Sequence, residues 1–157
     1  GNQKLNFEKI NISEMTHLIA DSQQHNADSK NIKIHSEIEE NIFIVGDETM
    51  IMRIFVNLIS NAINYGRENG NIWIKLTQDK DFAICKVIDD GIGIEKENIP
   101  KIWGRFYQVE SSRTTENLGL GLSMVKWIIE AHKGEIYAES EIGKGSSFIF
   151  KLKKERK

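Results

Sequence analysis

Hydrophobic positions along the chain follow two periods, which predict that strands and helices alternate. In residues 71–78 and 82–89 apolar residues alternate with polar ones, as in half-buried strands. The Asp-Lys-Asp between these two segments favours a hairpin connection. The same reasoning predicts further strands at 6–12, 31–38, 42–45, 135–140 and 146–152, and a short helix at 100–104.

Apolar residues spaced by three and four positions predict three longer helices. The first begins at Ser13 as its N-cap and ends near residue 29, and the second follows Asp47 as its cap and ends at Tyr65. The third covers residues 121–132 and stops before Gly134. Several strands with three helices predict a two-layer α+β sandwich. The predicted buried side of the first helix consists of Met15, Leu18, Ile19 and Ser22.

Composition narrows the classes of function. The chain has 157 residues, of which 39% are hydrophobic, and it is predicted to form one domain over residues 1–157. A net charge of -2 without a lysine-rich stripe disfavours nucleic-acid binding. The single cysteine, Cys85, lies in an apolar run and is predicted to be a buried, inert thiol. No apolar run reaches about 18 residues, so no segment is expected to contact or span a membrane.

The second predicted helix carries an unusual polar stripe. A solvated stripe is normally rich in Lys and Glu, whereas this one is mainly asparagine, which is a poorer helix former. The stripe is either an exposed polar surface or a row of amides that can ligate Mg²⁺ and donate to phosphate. Asn57 and Asn61 are one turn apart, so both can reach the same ligand. The stripe consists of Arg53, Asn57, Ser60, Asn61 and Asn64.

The strand at 82–89 ends in two aspartates followed by Gly-Ile-Gly. Alternation places Asp89 on the same side as Cys85 and Val87, so its carboxylate is predicted to point inward, where it needs donors or a ligand. Gly91 and Gly93 allow a backbone or a flat ligand to approach closely. Two interpretations stay open: a tight turn in which Asp89 accepts from backbone amides, and an acceptor for an exocyclic amine such as that of adenine.

A second glycine pair, Gly119 and Gly121, is predicted to lie just before the third helix. Free amides and the helix dipole favour an anion at such a position, although a simple loop-to-helix junction is the alternative. No P-loop motif occurs, and the Gly-Lys-Gly-Ser at 143–146 fits a hairpin turn between the last two strands.

Taken in order, these segments resemble the catalytic, ATP-binding domain of bacterial sensor histidine kinases. "NLISNAINY", "DDGIGI", "IWGRFYQVESSR", "LGLGLSMVKWIIEAHKG" and "GKGSSF" correspond to its N box, G1 box, F box, G2 box and final glycine turn. The resemblance covers residues 6–152. It implies the Bergerat fold, a two-layer α+β sandwich in which a mixed, mostly antiparallel sheet is covered on one face by three helices.

The resemblance also implies a role for individual residues. Asp89 is expected to accept from the adenine amino group, Asn61 and Asn57 to bind Mg²⁺, and Arg113 to lie in a lid near the phosphates. The glycines of the G2 box are expected to hinge that lid and to let backbone meet phosphate. The implied ATP-binding residues are Asn57, Asn61, Asn64, Tyr65, Asp89, Gly91, Gly93, Ile94, Arg105, Phe106, Tyr107, Arg113, Leu118, Gly119, Leu120, Gly121, Leu122 and Ser147.

The implied activity is transfer of the ATP γ-phosphoryl group to a histidine on a separate helical-hairpin domain, with ATP and Mg²⁺ required. The family's acceptor histidine is followed by an acid and then a proline, and none of the four histidines of this chain has that context. The acceptor is therefore expected outside the chain, and the isolated domain is not expected to autophosphorylate. The implied partners are the phosphoacceptor domain of the same kinase and a response regulator. The domain is expected to be monomeric and cytoplasmic, with any membrane anchor of the parent protein outside this chain.

Three departures keep other functions in view. Asn64 stands where many members carry lysine, Asn117 and Leu118 replace a common Gly and Thr or Ser, and Trp103-Gly104 replaces Phe-Glu. An ATP hydrolase of the same fold usually has a glutamate where Asn57 stands, and an amide cannot act as a base for water. A serine kinase of this fold is disfavoured by the F box. A nucleotide-free interaction module is disfavoured by the intact Asp89 and Asn61.

Overall fold

The computed structural model describes residues 4–104 and 118–155, where seven strands form two sheets. The strands are β1 (Phe7–Asn11), β2 (Lys33–Ile38), β3 (Phe43–Asp47), β4 (Asn71–Gln78), β5 (Phe82–Asp89), β6 (Glu135–Glu141) and β7 (Gly145–Lys153). The larger sheet has the order β2-β4-β5-β7-β6, in which only the β2–β4 pair is parallel. A small antiparallel sheet pairs β1 with β3. The predicted hairpins between β4 and β5 and between β6 and β7 are confirmed.

Three α-helices lie in the described part of the chain, and they bury their apolar sides against one face of the larger sheet. Phe55 meets Phe150 edge-on, with ring centroids 5.4 Å apart. Both side chains are fully buried in one continuous core. The predicted α+β sandwich is therefore confirmed. The helices are α1 (Ile12–Ala27), α2 (Glu48–Tyr65) and α3 (Leu118–Ala131), with 3-10 turns at Asp28–Lys30 and Lys96–Lys101.

The start of α1 differs from the prediction. Asn11 caps the helix, since its side chain accepts from the amide of Glu14 at 3.0 Å. Ser13 is buried instead, and its hydroxyl donates to the carbonyl oxygen of Glu39 at 2.6 Å. The predicted side is right for Met15 and Ile19, which are buried. It is wrong for the other two residues, since Leu18 is 63% exposed and Ser22 is exposed. The residues that α1 buries are Ile12, Ser13, Met15, Thr16, Ile19, Ala20, Gln23 and Ala27.

Helix α2 begins as predicted. The Asp47 side chain caps it by accepting from the amide of Met50 at 3.0 Å. The other Asp47 oxygen accepts from the amide of Asn6 at 2.9 Å, so one carboxylate ties the first residues of the chain to the start of α2. His132 is buried beside this cap, where its Nε2 accepts from the amide of Asp47 at 3.0 Å and its ring stacks on Phe7. This histidine is therefore a packing residue.

Helix α3 begins earlier than predicted, at Leu118, so Gly119 and Gly121 lie in its first turns rather than before it. It ends before Gly134 as expected, and the amide of Gly134 donates to the carbonyl of Ile129 at 2.9 Å. None of the helices in residues 4–104 and 118–155 is long and apolar enough to cross a bilayer.

Candidate functional site

Asp89 lies at the end of a central strand with its carboxylate turned toward the helices. Its side chain is 6% exposed, because β4 and β7 flank β5 on either side. Asp89 Oδ1 accepts from the amide of Gly91 at 2.9 Å. The carboxylate therefore takes part in a tight turn, as one interpretation predicts, and its role as an acceptor for an exocyclic amine stays a prediction.

The electrostatics of this carboxyl group are unusual. Burial raises the pKa of Asp89 to about 6, and the nearby charge of Asp90 acts in the same direction. Amide donation from Gly91 and from Ser146 lowers the pKa without cancelling the effect of burial. The site thus holds an anionic acceptor whose charge is costly unless a ligand donates to it.

The neighbouring Asp90 carboxylate is bound by another strand and does not face the interior. Its two carboxylate oxygens accept from the backbone amide and the side-chain amide of Asn71, at 2.9 and 3.1 Å. Asn71 Oδ1 in turn lies 2.8 Å from His35 Nε2. Asp90 therefore fastens the end of β5 to the start of β4 and leaves Asp89 as the acceptor that faces the interior.

The glycines after Asp89 are required by close contacts on both sides of the loop. A Cβ at Gly91 would lie 2.1 Å from the carbonyl oxygen of Tyr65, at the end of α2. Gly93 has a φ of +76°, and a Cβ there would lie 2.2 Å from the carbonyl oxygen of Glu141. The loop at 89–94 is thus held between the last turn of α2 and the β6–β7 turn.

The strands on either side of the β6–β7 turn supply a pair of serines, Ser140 and Ser146, that sequence reasoning missed. In the register of β5 with β7, Asp89 lies opposite Ser146, so the adjacent Ser147 projects from the other face of the sheet. The predicted site residue Ser147 therefore lies on the face opposite to Asp89, and Ser146 lies on the same face as Asp89. Ser140 Oγ accepts from the amide of Ile94 at 2.7 Å and donates to the carbonyl of Gly145 at 2.9 Å. Since that hydroxyl hydrogen is used, Ser146 is the donor in the 2.7 Å bond between the two hydroxyls.

The asparagine stripe of α2 is not an ordinary solvated surface. Asn61 is 4% exposed, and its Oδ1 has no hydrogen-bond partner within the described residues. A buried amide oxygen without a donor is rare in proteins, and it is a ligand that a hard cation such as Mg²⁺ accepts. Asn57, one turn earlier, is half-buried, and a Cβ at Gly121 would lie 3.9 Å from its Cγ. The first turns of α3 therefore face the same stripe.

The last turn of α2 completes the arrangement. The carbonyl oxygen of Tyr65 accepts from the amide of Ile92 at 3.1 Å, which joins this helix directly to the loop after Asp89. The side chain of Asn64 is half-buried, and the carbonyl oxygen of Asn64 accepts from Lys30 Nζ at 2.8 Å. Both residues thus lie where α2 meets the glycine loop.

The structure therefore joins the end of α2, with Asn64 and Tyr65, to the loop that holds Asp89, Gly91 and Gly93. Asn61 lies one turn earlier in α2, and Gly121 faces Asn57 one turn before that. The side chains of Ile94 and Leu122 pack in the core. Leu118, Gly119 and Leu120 belong to α3 by their backbone. Four residues predicted to bind ATP lie outside the described residues: Arg105, Phe106, Tyr107 and Arg113.

Within residues 4–104 and 118–155, no three His, Cys, Asp or Glu side chains converge as a metal cluster. The ligands that the stripe itself offers to a cation include the amide oxygens of Asn57 and Asn61. This chemistry suits Mg²⁺, which binds through few protein ligands together with phosphates.

Comparison with known proteins decides the family. Residues 46–156 match the family model described as histidine kinase-, DNA gyrase B- and HSP90-like ATPase. The chain belongs to this family. Its relatives place it with the ATP-binding catalytic domains of sensor histidine kinases.

One such relative is the sensor histidine kinase YclK of Bacillus subtilis strain 168, which is 34% identical over 155 residues. That match covers 96% of this histidine kinase domain and 33% of YclK, so the chain spans about a third of its relative. The catalytic domain of histidine kinase ThkA is 27% identical with a TM-score of 0.81, covering 96% of this chain and 99% of that one. Histidine kinase ThkA in complex with response regulator protein TrrA matches with a TM-score of 0.78 and 28% identity, over 95% and 42% of the two chains.

Proposed function

We propose that this histidine kinase domain binds Mg-ATP and presents the γ-phosphate to a histidine on a separate domain of the same sensor kinase. One observation supports the proposal above the others. A buried acidic acceptor, Asp89, and a buried amide oxygen without a partner, on Asn61, lie at the same end of the sandwich. Each is costly in the ligand-free protein, and each has a complement in Mg-ATP.

The adenine ring would enter beside the glycine loop. The Asp89 carboxylate accepts from the exocyclic amine, while the absence of side chains at Gly91 and Gly93 leaves room for a flat ring. The Ser140–Ser146 hydroxyl pair borders the same pocket, because Ser146 lies opposite Asp89 in the sheet. An acceptor in this position selects adenine, because the guanine ring presents a carbonyl oxygen where adenine has its amine.

The phosphates would extend along the asparagine stripe. Asn61 and Asn57 are the residues that would hold Mg²⁺, and the ion supplies neutralisation of phosphate charge when it is bound. Amides in the first turn of α3 have no acceptor within the helix, and such a position favours an anion such as phosphate. Asn57 places an amide where a hydrolase needs a base, so the domain is suited to position the phosphoryl group for an external acceptor rather than for water.

The acceptor and the downstream partner follow from the family. A phosphoacceptor histidine domain of the same kinase would receive the phosphoryl group, and a response regulator would receive it next. The complex of histidine kinase ThkA with response regulator protein TrrA supports the second partner.

Nucleotide binding is tested by thermal unfolding of the chain with and without Mg-ADP or a non-hydrolysable ATP analogue, beside Asp89→Asn. At a ligand concentration near 100 times Kd, binding adds about 2.7 kcal/mol to the free energy of unfolding. The unfolding midpoint of a domain of this size then rises by roughly 5 to 10 °C. We expect that rise in the wild type and its loss in the variant. No rise at millimolar nucleotide would refute the proposal and favour a nucleotide-free interaction module.

A further inference from the structure

The C-terminal end of α2 receives its positive charge from a distant segment. Carbonyl groups at the end of a helix lack partners within the helix, and the dipole there favours a cation. Helix α2 has no basic residue in its own last turn. Lys30, at the end of the 3-10 turn Asp28–Lys30, places its ammonium group at that end instead.

Lys30 makes several charge-assisted contacts there. Its Nζ donates to the carbonyl oxygens of Asn64 at 2.8 Å and of Ile63 at 3.0 Å, and it lies 3.5 Å from that of Gly66. The Lys30 backbone is also fixed, because its carbonyl oxygen accepts from the amide of Asn69 at 2.9 Å. The ammonium group is therefore held by its own turn while it binds the last turn of α2.

The remaining carbonyl of this turn contacts the glycine loop. Tyr65 O accepts from the amide of Ile92, and a Cβ at Gly91 would lie only 2.1 Å from the same oxygen. Since the packing is this close, a small displacement of the last turn of α2 would have to move the loop that holds Asp89.

We infer that Lys30 is a positioning residue for the nucleotide pocket: by binding the last carbonyls of α2, it holds Tyr65 O against the loop at 89–93. This inference rests on the proposed function for its ligand, but not for its geometry. The residue does not touch the nucleotide, and it acts through the end of the helix that also carries Asn61.

The first test needs no nucleotide. Amide hydrogen exchange of the Lys30→Met variant is compared with the wild type, with Lys30→Arg as the rescue variant and the exposed Lys80→Met as the matched control. In Lys30→Met we expect the Ile92 amide to exchange about tenfold faster, because the acceptor at Tyr65 is no longer held in place. Exchange at Val87, which lies inside β5 and outside the loop, should stay the same. Lys30→Arg should restore slow exchange at Ile92.

The second test measures Kd for Mg-ADP by calorimetric titration of the same four proteins. We expect Kd to rise about tenfold in Lys30→Met, to recover in Lys30→Arg and to be unchanged in Lys80→Met. If Lys30→Met unfolds, Lys30→Gln is used in its place, since it removes the charge and keeps a donor.

The outcomes separate the two proposals. Unchanged exchange at Ile92 would show that Lys30 only stabilises its own turn, and it would overturn the inference. Faster exchange at Ile92 together with an unchanged Kd would also overturn it, because the loop would then not depend on Lys30 for binding. A wild type that fails to bind Mg-ADP would refute the proposed function, whereas the exchange result would still decide the role of Lys30 in holding the loop.

Discussion

Replacing Asp89 with asparagine should stabilise the ligand-free protein at neutral pH while abolishing its response to nucleotide. The pKa of this carboxyl group is about 6 in the folded protein, against an ordinary value of 3.8. At 1.36 kcal/mol for each pKa unit, this difference corresponds to about 3 kcal/mol. The folded-state pKa is raised, so the stability linked to it is fully present below pH 3.8 and is lost as the pH rises through about 6.

The variant has no such loss, because its side chain is neutral at every pH. It does lose a carboxylate oxygen that accepts from a backbone amide, which costs about 1 kcal/mol at all pH values. We therefore expect Asp89→Asn to be less stable than the wild type by about 1 kcal/mol near pH 3 and more stable by about 2 kcal/mol at pH 7.5. The second difference corresponds to a midpoint roughly 4 to 8 °C higher.

Urea unfolding from pH 3 to pH 8 measures both differences. Asp79→Asn provides a control of opposite sign, since donation from the amides of Phe82 and Asp81 lowers the pKa of Asp79. That variant should lose stability relative to the wild type at neutral pH, and the loss should fade as the pH falls below 3.8. If the curves of Asp89→Asn and the wild type ran parallel across this range, the carboxylate would not be destabilised by burial, and the reasoning would be wrong.

Three further substitutions test the packing and the ligands of the site. Gly91→Ala places a methyl group 2.1 Å from Tyr65 O, so we expect it to lower the midpoint of thermal unfolding by several degrees and to remove Mg-ADP binding in the same assay. Among the described residues, the methyl group of Gly121→Ala meets nothing closer than Asn57 Cγ at 3.9 Å, and the change replaces a helical glycine, so stability in urea should rise by about 0.5 to 1 kcal/mol while Kd for Mg-ADP increases. Asn61→Ala removes an amide oxygen without a partner in the described residues, so its cost in urea unfolding should stay below about 1 kcal/mol. Titration of ADP into Asn61→Ala with and without Mg²⁺ should show that the ion no longer changes the affinity.

Much of the fold could be predicted from local patterns, and the errors have physical causes. The alternation in β4 and β5 and the broad apolar side of α2 predict these elements correctly. The reason is that the residues forming both patterns are the ones buried in the core. The predicted N-cap of α1 was wrong because asparagine and serine, at positions 11 and 13, are both good capping residues. A tertiary bond from Ser13 to the Glu39 carbonyl, 26 residues away, decides between the two.

The candidate site was predictable to the extent that its residues follow one another in sequence. The inward position of Asp89 follows from alternation along its own strand. The choice between Ser146 and Ser147 depends on the register of β5 with β7, and a shift of one residue in register exchanges the two faces. No local pattern sets that register. The glycine turn at 143–145 and the contact of Gly145 with the Asp89 backbone fix it in the folded protein.

Lys30 shows the same limit in another form. The surrounding sequence, Asp-Ser-Lys-Asn at 28–31, predicts only an ordinary polar turn. The contacts of Lys30 with the end of α2 join residues 33 and 34 positions apart. Charge at a helix end is a local rule in sequence analysis, whereas here the rule is satisfied by a side chain from another segment.

The position of β7 has a consequence for how the protein is made. This strand follows the six other described strands in the sequence, yet it lies inside the sheet, between β5 and β6. Until it emerges from the ribosome, one edge of β5 has no partner, and Asp89 lacks the wall that Gly145 and Ser146 supply. A nascent chain that stops short of residue 146 therefore lacks part of the wall beside Asp89. The proposed nucleotide pocket is therefore complete only after β7 has been synthesised.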